Sequence, residues 1–99
     1  MAAEIIIAPE AERDLADAYD WYERQRIGLG EDFLQRVDAC IQAIARTPLM
    51  HALYYETYRR GLVRRFPYIV FYECADKTVT IYGVFHTSVD PQKWHERLS

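Results

Sequence analysis

His86 and the pair Arg64-Arg65 are the side chains of this sequence best equipped to act on a phosphodiester, and Arg59-Arg60 extends the run of cations before them. Cleaving RNA through its own 2′-hydroxyl needs a base for that hydroxyl, a cation for the charged phosphorane and an acid for the leaving oxygen. A histidine titrates in the right range for either proton transfer. Arginines bind phosphate through paired N–H donors. A competing reading is structural: His86 ends a strand and hydrogen-bonds into the turn toward Asp90. The arginines then form a charged edge that resists aggregation, or dock an acidic segment of a partner. Adjacent strand residues face opposite ways, so only one of Arg64 and Arg65 can share a site with His86. Trp21 is a further candidate for partner contact, and Tyr72 is the remaining polar aromatic near the site. No His or Cys cluster has metal-ligand spacing, and no cofactor motif is present. His51, His86 and His95 are scattered, and Cys40 and Cys74 match no zinc or redox pattern; both are expected to be reduced thiols.

Composition limits the choices. Ninety-nine residues, 51% of them hydrophobic, suffice for a single domain spanning 1–99 with one real core. The net charge of −3 argues against a simple electrostatic nucleic-acid binder. The charge is uneven. Residues 1–23 carry seven acids and one arginine, whereas the rest of the chain carries a net +3. No apolar run approaches the length of a membrane span and no secretory signal is evident, so a cytoplasmic protein without membrane contact is expected.

The elements that must position these residues follow from periodicity. Glu4–Ala8 is a β-branched run long enough for one buried strand. Pro9 suits the first turn of a helix, and Glu10, Glu12 and Asp14 favour that end through the dipole. Ala11, Leu15, Ala18, Tyr19 and Tyr22 form its apolar face, and Glu12, Arg13, Asp17, Asp20 and Arg24 its solvated one. This helix is expected over 9–26. Gly28 and Gly30 break it. A second helix carries Leu29, Phe33, Val37, Ile41 and Ile44 on one stripe and ends before Pro48. The short link makes the two helices an antiparallel hairpin. Tyr54–Tyr58 is expected as a strand or as part of one longer irregular strand, and Arg60–Arg65 is a second candidate, with Gly61 as a bend or bulge between them. Tyr68–Cys74 then alternates between two faces, and Thr78–Phe85 returns with Val79, Ile81, Gly83 and Phe85 on one side. Asp90-Pro91 starts a short terminal helix carrying Trp94 and Leu98. The order is β-α-α-β-β-β-α. It predicts an α+β fold, a helical hairpin packed on one face of a small, mainly antiparallel sheet.

With those segments in place, the chain resembles the RelE/ParE superfamily of type II toxin–antitoxin toxins, over nearly its whole length. The matching stretches are Ala8-Pro9-Glu10-Ala11-Glu12-Arg13-Asp14-Leu15, Tyr19-Asp20-Trp21-Tyr22 and Ile44-Ala45-Arg46-Thr47-Pro48. Further on they are Tyr58-Arg59-Arg60, the run from Arg64 to Tyr72, and the closing run from Val84 to Pro91. Two activities are implied. RelE-like members cut messenger RNA on the ribosome, and ParE-like members poison DNA gyrase without known catalysis of their own. Both are neutralised by a cognate antitoxin. The positions where the ribonuclease branch places arginines align with Ile69 and Ser88. The resemblance therefore implies the ParE-like branch: a plasmid-stabilisation-type toxin that inhibits DNA gyrase by protein binding. Its antitoxin is expected to be of the ribbon-helix-helix type. Partner contacts are expected at Arg59, Arg60, Arg64, Arg65 and Trp21. The alternatives are a ribosome-dependent ribonuclease using His86, Arg65 and Arg64, and a diverged, non-toxic binding module.

Overall fold

A computed structural model describes residues 2–99. Its elements are β1 (Glu4–Ile7), α1 (Pro9–Gln25), α2 (Leu29–Arg46), a 3-10 turn at Pro48–Met50, β2 (Leu53–Tyr55), β3 (Tyr58–Leu62), β4 (Tyr68–Ala75), β5 (Thr78–His86) and α3 (Pro91–Leu98). The five strands lie in the order β1-β5-β4-β3-β2. β1 runs parallel to β5 and every other pair is antiparallel. The α+β order expected from the sequence is present with one strand more, because the tyrosine-rich stretch folds back on itself.

That extra reversal comes from Glu56, whose φ is +52°. It places a turn at Glu56-Thr57, so Tyr55 pairs with Tyr58 and Leu53 with Arg59. Gly61 is therefore not the bend. It lies inside β3 opposite Val70 and is buried. An added Cβ there would sit 3.0 Å from Ile44 Cδ1 and 3.3 Å from Cys40 Sγ. Glycine at this position lets α2 approach the sheet.

α1 begins at Pro9 and buries Ala11, Ala18 and Tyr22. The hairpin turn is tied by one carboxylate: Glu23 Oε1 accepts the N–H of Gly28 and the N–H of Gly30, each at 2.9 Å. Gly28 has φ +90°, a left-handed conformation costly for other residues. α2 buries Phe33, Val37, Ile41 and Ile44. These meet Val70 and Tyr72 of β4 and Val79, Ile81 and Val84 of β5 in the main core. Each side chain of that core removes about 1.5–3 kcal/mol worth of apolar surface from water.

The other sheet face is covered as well. Ile69 and Phe71, the alternate residues of β4, pack with Trp94 and Leu98 of α3. The hairpin lies on one face, as expected, and α3 takes the opposite one. Asp90 caps α3, its carboxylate accepting the Gln92 N–H at 2.9 Å.

β5 departs from simple alternation. Phe71 pairs with Gly83 but Tyr72 pairs with Ile81, which leaves Tyr82 as an extra residue. Such a bulge shifts the side-chain phase. Val79 and Ile81 face the hairpin, as does Val84, while Tyr82 and Phe85 face α3. The uninterrupted alternation expected for Thr78–Phe85 is thus broken at its centre.

Candidate partner-docking site

The bulge in β5 and the departure of β1 into α1 open a cleft of about 540 Å³ beside the sheet. One wall is α1, through Asp14, Asp17, Ala18, Trp21 and Tyr22. These positions share a helix face because they are three or four residues apart. The other wall is the end of β5 and the turn after it, through Val84, Phe85, His86 and Val89. Tyr68 of β4 lies at the floor.

The cleft is chiefly apolar and aromatic. Tyr22 is buried, and its ring lies 5.0 Å from Trp21 and 5.0 Å from Phe66, edge-on to both. Trp21 is 54% exposed, a large aromatic surface left open to solvent. Burial pushes the phenols of Tyr22 and Tyr68 above their ordinary pKa, so both are neutral at physiological pH.

Asp14 organises one end. Its carboxylate accepts from Arg97 Nη1 at 2.8 Å and Nη2 at 3.1 Å, and Oδ2 also accepts the backbone N–H of Val84 at 3.0 Å. Arg97 further donates to Tyr82 O at 3.3 Å, the carbonyl displaced by the bulge. Its guanidinium lies 4.7 Å from the Phe85 ring centroid. The hydrogen bonds to Asp14 hold the Arg97 pKa above its usual value. One ion pair thus joins α1, the bulge and α3. Asp17 is exposed on the same rim.

His86 is engaged locally. Its Nδ1 accepts the Ser88 backbone N–H at 3.0 Å and lies 2.7 Å from Ser88 Oγ. A backbone N–H can only donate, so Nδ1 is the unprotonated nitrogen and Nε2 carries the ring proton. The ring stands edge-on to Tyr68 at 5.2 Å. Ser88, at one of the positions lacking an arginine, holds the imidazole in place.

The arginines lie elsewhere. Arg64 and Arg65 are not on a strand. They sit in the turn between β3 and β4, both exposed, with Arg65 at φ +70°. The strand-alternation argument therefore does not govern them. Arg65 lines a separate small cleft with Arg26, Asp32, Arg36 and Phe66 at the hairpin end. Among the described residues, no hydrogen bond or shared cavity joins either arginine to His86. Arg59 donates from Nη1 to His51 O at 2.7 Å, bracing the segment before β2. Arg60, on the other face, is exposed, its guanidinium 5.7 Å from the Tyr54 ring centroid. Ile69 is buried against α3. Tyr72 donates its hydroxyl to Pro48 O, and burial pushes its pKa to about 12.

Of the residues picked out in the sequence, Trp21 and His86 share this cleft. Asp14, Asp17, Ala18 and Val89 were not picked out. A signal for Asp14 existed: it stands three residues after Ala11 and four before Ala18, a carboxylate within the buried stripe. Its partner Arg97 is 83 residues away, beyond the reach of periodicity. Among the described residues, no group of three or more His, Cys, Asp or Glu side chains is placed to hold a metal ion, and no helix is long and apolar enough to cross a membrane.

Residues 5–91 match the model of the family described as "ParE toxin of type II toxin-antitoxin system, parDE". Two solved structures are similar in fold. One is a chain of the chromosomal ParDE toxin–antitoxin system from P. aeruginosa, with TM-score 0.76 and 15% identity, covering 86% of this chain and 96% of that one. The other is a chain of the RelBE2 toxin–antitoxin complex from Mycobacterium tuberculosis, with TM-score 0.60 and 24% identity, covering 87% and 92%. No curated protein matches.

Proposed function

Because this chain belongs to the ParE family of type II toxin–antitoxin toxins, we propose that it is the toxin of such a pair and acts by binding a protein target. The target is DNA gyrase in the cytoplasm, and a cognate antitoxin, of the ribbon-helix-helix type, neutralises it. Its role is then stabilisation of the plasmid or locus that encodes the pair. The observation that carries this reading is the character of the cleft. A groove walled by Ala18, Trp21, Tyr22, Val84 and Val89 suits apolar side chains of another protein. It offers little to a phosphodiester, since the cation at its end, Arg97, is bound to Asp14. His86 Nδ1 is occupied by Ser88, and Ile69 is buried without charge. Exposed Arg64 and Arg65 in the β3–β4 turn, and exposed Arg60 against Tyr54, are separate cationic contacts for the target or for an acidic antitoxin tail.

The test is regulated expression in bacteria, with and without the small reading frame beside this one. Growth arrest with induction of the DNA-damage response, relieved by the neighbour, is the expected result. Codon-phased cuts in translated messenger RNA would instead assign the ribonuclease activity, and an absence of any growth effect would make the chain a silent binding module.

A further inference from the structure

A second cleft, at the hairpin end, has the opposite character to the apolar one. It measures about 270 Å³, lies between α2 and the β3–β4 turn, and is bordered by Arg26, Arg36 and Arg65. Three separate elements bring these cations together. Arg26 caps the end of α1, its N–H donating to Tyr22 O at 3.1 Å. Leu29, Asp32 and Arg36 share one face of α2, at spacings of three and four residues. Arg65 comes from the turn, in the left-handed conformation at φ +70°. That turn is fixed on both sides. The Val63 N–H donates to Tyr68 O at 3.0 Å, and Phe66 packs edge-on to Tyr22 at 5.0 Å and to Phe33 at 5.4 Å. A non-glycine residue persists at positive φ where its surroundings over-determine it, and here they set Arg65 beside α2.

The three cations lack a counter-charge. Asp32 stands four residues before Arg36, the order and spacing of a helical ion pair. Yet among the described residues the one ion pair is Arg97–Asp14. Arg36 is half-buried with no carboxylate at ion-pair distance. The N–H groups that open α2 are already engaged, because Glu23 accepts from Gly28 and Gly30. An incoming anion therefore meets the arginine side chains, not the helix end. Like charges around one small space repel each other, and an anion between them removes that repulsion.

The balance of charge defines the ligand. Three guanidinium groups against the Asp32 carboxylate leave two positive charges. A phosphomonoester carries about −1.5 to −2 at neutral pH, whereas a phosphodiester carries a single charge. Guanidinium N–H groups pair with phosphate oxygens. Asp32 is placed to accept from hydroxyls on the group that bears the phosphate, and Leu29 and Phe66 give that group an apolar side. The volume is below the roughly 300–1,000 Å³ of a site for a whole drug-sized ligand, and suits a phosphate with one sugar. From this arrangement we infer that the cleft binds a phosphorylated ribose, either free or at the 5′ end of an RNA strand. The inference stands apart from the toxin reading, since it uses neither the apolar cleft nor its residues.

The test is titration of the purified full chain with ribose 5-phosphate, followed by amide shifts in NMR. Saturable shifts are expected at the start of α2 and in the β3–β4 turn. Arg36→Gln and Arg65→Gln each weaken binding by about tenfold. Arg13→Gln, on the exposed face of α1, leaves it unchanged. Arg65→Gln keeps the fold because the side chain is exposed in a turn. A short RNA with a 5′-phosphate that binds at least about tenfold more tightly than ribose 5-phosphate supports the strand end as the source, through added backbone contacts. Equal or weaker binding of that RNA supports the free sugar phosphate. The inference is overturned if ribose 5-phosphate gives no saturable shift, if Arg13→Gln weakens binding as much as Arg65→Gln, or if the RNA binds as tightly without its 5′-phosphate.

Discussion

Replacing Asp14 should destabilise the fold more than replacing Arg97, although the two form one ion pair. Their side chains are 16% and 26% exposed, between the exposed pairs worth about 0–1 kcal/mol and the buried ones worth about 3–5 kcal/mol when broken. An intermediate value, about 1.5 kcal/mol, is appropriate for losing the pair. Asp14→Ala also strands the Val84 N–H, which Asp14 accepts at 3.0 Å on a residue 2% exposed. An unsatisfied buried donor adds roughly 1–2 kcal/mol, for a total of about 3 kcal/mol. Arg97→Ala leaves that bond intact and loses the ion pair together with the contact on Phe85, about 1.5–2 kcal/mol in all. Asp14→Asn keeps an acceptor for Val84 and should resemble Arg97→Ala. The double variant Asp14→Ala/Arg97→Ala should show a coupling of about 1 kcal/mol. Urea unfolding with a common slope measures all four. A cost for Asp14→Ala no larger than for Arg97→Ala, or a coupling near zero, would refute the assignment of Asp14 as the clamp between α1, the bulge and α3.

Other expectations follow from single positions. Burial raises the Cys40 thiol from 9.0 to about 11. The folded state therefore holds a proton that the unfolded chain releases, and this contribution to stability is complete below pH 9 and lost as pH rises toward 11. Cys40→Ala should flatten the stability profile in that window; an unchanged slope would contradict it. Gly30→Ala should cost more than Gly28→Ala in thermal unfolding. The added Cβ at 30 would lie 2.8 Å from Tyr19 O, a backbone atom, while at 28 nothing lies within 4 Å and only φ +90° opposes the change, about 1 kcal/mol. Arg64→Ala and Arg65→Ala should leave stability within about 0.5 kcal/mol, since both lie exposed in a turn. If the arginine turn holds an acidic antitoxin tail, each also lowers antitoxin affinity, less so as salt is raised; unchanged affinity in both removes that role.

The parts legible in the sequence are those governed by a local period. The stripe Phe33, Val37, Ile41 and Ile44 faces the sheet, as i, i+4 spacing requires. Tyr68, Val70, Tyr72 and Cys74 share one face of β4 and Ile69 and Phe71 the other, as strand pleating requires. What escaped depends on tertiary geometry. The extra residue at Tyr82 re-phases β5, and no composition cue separates it from a regular strand residue. Glu56, with its positive φ, makes a turn that a glycine would have announced, so Gly61 drew the prediction instead. The Val63–Pro67 link reads as strand up to Arg65 because Pro67 alone marks its end. The docking cleft itself combines α1 with a strand end some 70 residues later. Trp21 and His86 stood out individually as chemical groups, whereas the cleft that joins them follows from the β1-to-α1 departure and the bulge.

On the proposed reading this chain acts by binding a protein, and His86 positions a turn. Supercoiling of relaxed plasmid by purified DNA gyrase, with the purified chain added, tests it most directly. The expected result is a dose-dependent loss of supercoiling that His86→Ala retains and that added antitoxin reverses. Full supercoiling at saturating concentrations of a chain that still arrests growth would contradict it.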